Sequence, residues 1–238
     1  MADEDKFAIH AAARDGRVTA VESLLAANPK LATWKDDDGR LPIHWAASYN
    51  HHEIVSLLTQ QKGFDPDVQD DLGWTPLMIA ASVKDADKVV DLLLARGADV
   101  SETNNNGQTV LHFLASKQNL DLARKLLEDQ KPPVSTRVKD KRGQYPIHRA
   151  AAVGSVPLIN LLLKHRSPLN PSDNAGQTPL HHAVAEGHGE AAFALLKAGA
   201  ETDKKDSDGF LPLQLAPSAD VRNYILRKAE EEGIAISV

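Results

Sequence analysis

Gly39 to Ser48 reads GRLPIHWAAS, and the chain rewrites this stretch again and again. It returns as GWTPLMIAAS from Gly73, GQTVLHFLAS from Gly107, GQYPIHRAAA from Gly143 and GQTPLHHAVA from Gly176. A worn copy, GFLPLQLAPS, starts at Gly209, and FAIHAAARDG from Phe7 is the same string without its leading turn. These copies recur at a period of about 33–36 residues, which is the length of one supersecondary unit stacked on its neighbours. Each unit alone is too small to bury its apolar face, so it folds only by leaning on the next.

The third copy shows why such a unit folds. Asp70, Asp71, Leu72 and Gly73 make a tight turn, the glycine supplying a backbone conformation that a Cβ would resist. Thr75 caps a first helix and Pro76 takes its first position, where a missing N–H costs nothing. Leu77, Ala80 and Ala81 face inward at helical spacing. A second helix carries Val89, Val90, Leu92, Leu93 and Leu94 as its apolar stripe and ends at Gly97. The pattern D-x-x-G-x-T-P-L-H-x-A-A resembles the ankyrin repeat. That resemblance implies an all-α solenoid of seven helix-turn-helix repeats with β-turn fingers. It covers a single domain, 1–238, with repeats near 5–37, 38–71, 72–105, 106–141, 142–174, 175–207 and 208–235.

The other copies vary the plan. Asn50 stands where a glycine usually ends the first helix, and Asn tolerates the left-handed region well. In the fourth copy Val110 replaces the proline, Asn119 sits near the start of the second helix, and Lys131-Pro132-Pro133 lengthens the next link. Pro157 opens the second helix of the fifth. In the seventh Pro217 breaks the first helix early, and a charged second helix is expected from about Val221 to Glu232. Its charges, with Asp5, Lys6, Arg14 and Arg17 at the other end, suit terminal caps whose outer faces meet water.

Composition narrows the function. The 33 acidic and 27 basic residues leave a net charge of −6, whereas a nucleic-acid binder should carry a basic face. There is no cysteine, so no disulfide framework and no thiolate nucleophile. The MADEDKFAIH start is acidic where a signal peptide is basic and then apolar. No apolar run approaches the ~20 residues of a membrane span. The expectation is a cytoplasmic protein, with the nucleus open as a second location, and a monomer when free.

Catalytic and metal chemistry are not expected. His10, His44, His112, His148 and His181 recur at one motif position, which spreads them one per repeat instead of gathering them on an ion. They read as buried rings tying one turn to the next through backbone hydrogen bonds. His51-His52 and His181-His182 are sequence neighbours that a helix splays apart, outside any H-E-x-x-H frame. The turns KDDDG at Lys35 and KKDSDG at Lys204 lack the first acid and the twelfth-position Glu of a calcium loop. Walker, dinucleotide and nucleophile-elbow motifs are absent. No cofactor and no metal follow.

Side chains that the repeat does not require point to a partner. At the turn tips and variable first-helix places these include Asp38, Arg40, Trp45 and Tyr49, then Asp71 and Trp74, then Phe113 and Lys117, then Arg149 and Glu186. The acidic turn tips are expected to be Asp37, Asp38, Asp70 and Asp71. Trp, Tyr and Arg are common hot spots of protein interfaces.

The segments SLLAANPKLATWKDDDGRLPIHWAASYNHHEIVSLL, DDLGWTPLMIAAS, VLHFLASKQN and IHRAAAVGS go beyond the generic repeat. They resemble the gankyrin family, seven-repeat assembly chaperones of the proteasome regulatory particle, over the first six repeats. The resemblance implies binding to the C-terminal domain of a proteasomal AAA ATPase subunit through a concave face. Arg40 and Lys117 would meet acids there, with Asp38, Asp71, Trp45, Trp74 and Arg149 lining the same face. Tyr49-Asn50 and the Lys131-Pro132-Pro133 loop depart from that family. A signalling adaptor or cyclin-dependent kinase inhibitor is the second reading.

Overall fold

The computed structural model describes residues 7–237, so Asp5 and Lys6 lie outside the described residues. Among these residues it holds thirteen α-helices and two 3-10 helices, and no strand. They gather into two compact units that divide after Asn105.

The first unit contains α1 (Ala8–Arg14), α2 (Val18–Ala27), a 3-10 turn (Pro29–Thr33), α3 (Pro42–Ser48), α4 (His52–Thr59), α5 (Pro76–Ala81) and α6 (Asp87–Ala95). Each first helix packs on its own second helix, and α1, α3 and α5 stack in one row while α2, α4 and α6 stack in another. Alanines make this possible: Ala12, Ala13, Ala46, Ala47, Ala80 and Ala81 are all at most 2% exposed. Of the stripe read in α6, Val89, Val90 and Leu93 are buried, whereas Leu92 and Leu94 are half-buried on its flanks.

The second unit repeats the arrangement with α7 (Val110–Ser116), α8 (Leu120–Glu128), α9 (Pro146–Ala152), α10 (Val156–Lys164), α11 (Pro179–Ala185) and α12 (Gly189–Lys197). A 3-10 turn (Pro212–Leu215) replaces the last first-helix, stopping ahead of Pro217, and α13 (Ala219–Glu231) packs on α12. The last helix starts two residues before the expected Val221 because the Ser218 hydroxyl accepts the Val221 N–H and caps it there. Its Ile225 and Ala229 are buried, while Arg222, Arg227, Glu230 and Glu231 face outward. Pro157 falls in the first turn of α10, and Asn119 caps α8 by accepting the Leu122 N–H.

The histidines explain how one repeat seats the next. In α3, α7, α9 and α11 the ring Nδ1 accepts the N–H of the residue capping its own helix: Leu41, Thr109, Tyr145 and Thr178 in turn. Nε2 then carries the proton and donates to a carbonyl downstream: Val68, Gln144, Pro171 and Phe210. This is half of a capping box, with imidazole replacing the usual Glu or Gln. Gln214, at the same place in the worn seventh copy, does the first job with its amide oxygen, accepting the Leu211 N–H at 2.9 Å. Burial drives the histidine pKa values down, His148 to about 4, where the nearby His182 adds to the effect.

Two glycines show the close approach that stacking demands. Gly16 and Gly154 have positive φ, and a Cβ there would come within 2.7 Å and 2.6 Å of the rings of His51 and His188 on the following repeat. At the matching place Asn50 and Gln118 also have positive φ, and the residues that follow one repeat later are the small Ala86 and Ser155.

Candidate partner-binding surface

Five of the fingers are each built by one carboxylate. Asp36 Oδ1 accepts the N–H groups of Asp38 and Arg40, Asp140 Oδ1 those of Arg142 and Gln144, and Asp173 Oδ1 those of Ala175 and Gln177. Asp70 holds Leu72 and Trp74 in the same way, and Asp206 holds Asp208 and Phe210. Successive tips are joined by backbone bonds: Asp71 N–H donates to Asp38 O, Asn174 N–H to Arg142 O and Ser207 N–H to Ala175 O. Asp70 is therefore not the exposed turn-tip acid expected from the sequence; it is 6% exposed and anchors the finger from beneath.

In the first unit the predicted residues sit on two fingers and on α3. Asp38 and Asp71 are exposed tips, and Tyr49, which ends α3, is 54% exposed. Arg40, Trp45 and Trp74 are half-buried. Three of the groups are tied into a chain. The Trp45 indole donates to Asp36 Oδ2 at 2.7 Å, the Arg40 guanidinium lies 5.1 Å from the Trp45 ring centre, and Arg40 Nε donates to Asp70 Oδ2 at 3.1 Å. Arg40 thus spends one donor inside the protein, and its side chain is 25% exposed. Beside Trp45, a cavity of about 250 Å³ opens between His10, Arg14 and the Asp36–Asp38 turn.

In the second unit Phe113 is half-buried on α7, Lys117 is exposed where α7 ends, and Glu186 is exposed where α11 ends. Arg149, on α9, donates from Nη2 to Asp140 Oδ2 at 2.8 Å, against a carboxylate whose side chain is 2% exposed. His182 Nε2 lies 2.9 Å from Asp173 Oδ2, and Gln144 Nε2 donates to the same oxygen from the preceding repeat. Gln177 reaches Asp206 in the same manner.

These carboxylates were missed at the sequence level. Burial raises the Asp36 pKa, but the Trp45 indole and the N–H groups of Arg40 and Asp38 outweigh it and hold it below the ordinary value. For Asp173 burial is likewise outweighed, by Gln144, His182 and the Gln177 N–H. The signal was present: an Asp three residues before the turn glycine recurs at 36, 70, 140, 173 and 206, as regularly as the histidines do. Among the described residues no group of three or more His, Asp or Glu could hold a metal ion, and no helix is long and apolar enough to cross a membrane.

A model of the family described as ankyrin repeats matches residues 1–70, 57–136 and 132–206, and the chain belongs to the ankyrin-repeat family. Solved structures agree on the fold. The ankyrin repeat domain of Bcl-3 superposes with a TM-score of 0.73 at 25% identity, covering 92% of this chain and 97% of that one. The human ASB11 ankyrin repeat domain does so with a TM-score of 0.79 at 22% identity, covering 92% and 96%.

Within the family, the chain is similar to a Saccharomyces cerevisiae protein described as a probable 26S proteasome regulatory subunit p28. The two are 40% identical over 159 residues, 66% of this chain and 68% of that protein. Such repeats are non-enzymatic protein-interaction modules, and this chain is one of them.

Proposed function

We propose that the chain is an assembly chaperone of the 26S proteasome regulatory particle, holding the C-terminal domain of one AAA ATPase subunit on its finger and first-helix side. The observation that carries the reading is the kinship, over two-thirds of both chains, with a protein described as a proteasome regulatory subunit. The geometry supports it. In the first unit Asp38, Asp71 and Tyr49 are exposed at finger tips or a helix end while Trp45 and Trp74 are half-buried; in the second, Lys117 and Glu186 are exposed at helix ends and Phe113 is half-buried.

The mechanism is occupancy. A docked domain loses about 800 Å² of surface, and whatever would otherwise seat there is excluded until the chaperone leaves. Half-buried aromatics supply most of the affinity, and the exposed charges set orientation and association rate. The protein acts as a monomer in the cytoplasm, with the nucleus as a second site of action.

The test is capture of purified proteasomal ATPase C-terminal domains by the immobilised chain. Retention of one of them, reduced by Lys117→Glu, supports the reading. Retention of a cyclin-dependent kinase and of none of the ATPase domains would replace it with the kinase-inhibitor reading.

A further inference from the structure

Three side chains of the first helices are fastened in the same way from the same distance along the chain. Trp45 is held by Asp36, Arg149 by Asp140 and His182 by Asp173, nine residues upstream in each case, at 2.7, 2.8 and 2.9 Å. In each case the carboxylate does two jobs, one oxygen shaping the finger and the other reaching the helix.

The exceptions follow the same logic. Nine residues after Asp70 comes Ile79, which has no donor, and the second oxygen of Asp70 is taken by Arg40 from the preceding repeat. The fourth repeat has Asn104 in place of the acid, and nine residues on stands Phe113, whose ring carries no N–H or O–H. An amide has one oxygen, enough for a turn and not for both jobs.

We propose that Asp36, Asp140 and Asp173 are positioning residues that hold Trp45, Arg149 and His182 in the orientation in which they meet the partner; this rests on the partner-binding reading above. A side chain ordered before docking loses less rotamer freedom on docking, so the carboxylates act on affinity without touching the partner.

Asp36→Asn separates the two jobs. The amide oxygen still accepts the Asp38 and Arg40 N–H groups, but the NH2 now faces the indole N–H, donor against donor, and Trp45 leaves its seat. The full chain is compared as wild type, Asp36→Asn, Trp45→Phe and the double variant, for affinity to the retained ATPase C-terminal domain, melting temperature and tryptophan emission.

Asp36→Asn is expected to weaken binding about tenfold, with Tm lower by no more than about 4 °C. In the Trp45→Phe background the same change should cost less than about twofold, because the ring it positions no longer has an N–H to hold. Asp36→Asn should also shift the emission spectrum of the free protein, and that difference should vanish in the Trp45→Phe background.

Equal losses of affinity in both backgrounds would show Asp36 serving the turn alone and would overturn the proposal, as would an unchanged affinity. If the wild type binds none of the ATPase domains, the partner reading falls. The emission spectra of the free variants then decide by themselves whether Asp36 holds Trp45. Should Asp36→Asn not fold, Asp140→Asn with Arg149→Met runs the same cycle in the second unit.

Discussion

Replacing His148 by Met isolates the part played by the buried imidazoles. Met is the residue that the third repeat itself carries at this position, as Met78, 1% exposed. The substitution keeps the volume near its present value and removes two bonds: the Tyr145 N–H donating to Nδ1 at 3.0 Å and Nε2 donating to Pro171 O at 3.2 Å. Leaving a buried donor and acceptor without partners costs about 1–3 kcal/mol for each, and the gain from a more apolar side chain offsets part of it, so the variant should be about 2–3 kcal/mol less stable at pH 7.

The pH dependence sharpens this. Burial, with His182 beside it, lowers the folded-state pKa of His148 to about 4 from the ordinary 6.5. Between those values the unfolded chain binds the proton and the folded chain does not, so stability is complete above about pH 6.5 and is lost as pH falls toward 4. At 1.36 kcal/mol per unit, about 2 kcal/mol is gone by pH 5. The depressed pKa values of His44, His112 and His181 are common to both proteins and cancel in the difference. Urea titrations followed by circular dichroism at pH 7 and pH 5 should show the gap between wild type and His148→Met nearly closing at pH 5. A gap of the same size at both pH values, or none at pH 7, would refute the role assigned to the ring.

Other expectations are local. Leu93→Ala, at a fully buried position of α6, should cost about 2–5 kcal/mol, read as a lower urea midpoint; a midpoint within error of wild type would contradict the packing described. Gly154→Ala combines a φ of +71 with a Cβ that would lie 2.6 Å from His188 Nδ1, and a loss of at least about 1 kcal/mol is expected in the same titration. Restoring space with the double change Gly154→Ala, His188→Ala should recover part of that loss, and no recovery would show that backbone strain alone sets it.

Much of the fold is legible because the repeat states it seven times. Helix starts at Pro42, Pro76, Pro146 and Pro179 and left-handed ends such as Asn50 and Gly97 follow from local chemistry. The recurrent histidine discloses its structural role by recurring. What stayed hidden is the use made of charge. Arg40 and Arg149 stand at variable places and read as free cations, yet each is paired with an acid 30 or 9 residues away. Asp70 looks like a turn-tip acid until the backbone shows its carboxylate turned inward. Pairing of this kind depends on the distance between a finger and a helix, which no single repeat spells out. Register assigns these side chains to fingers and first helices, while which of their charges are anchored inside the protein is visible only in the coordinates.

The most direct measurement is a calorimetric titration of the full chain with each isolated proteasomal ATPase C-terminal domain in turn. One-to-one binding to one of them is expected, with an affinity that Trp74→Ala and Lys117→Glu each weaken and that rising salt weakens further. Absence of heat with every domain, or an affinity that neither substitution changes, would contradict it.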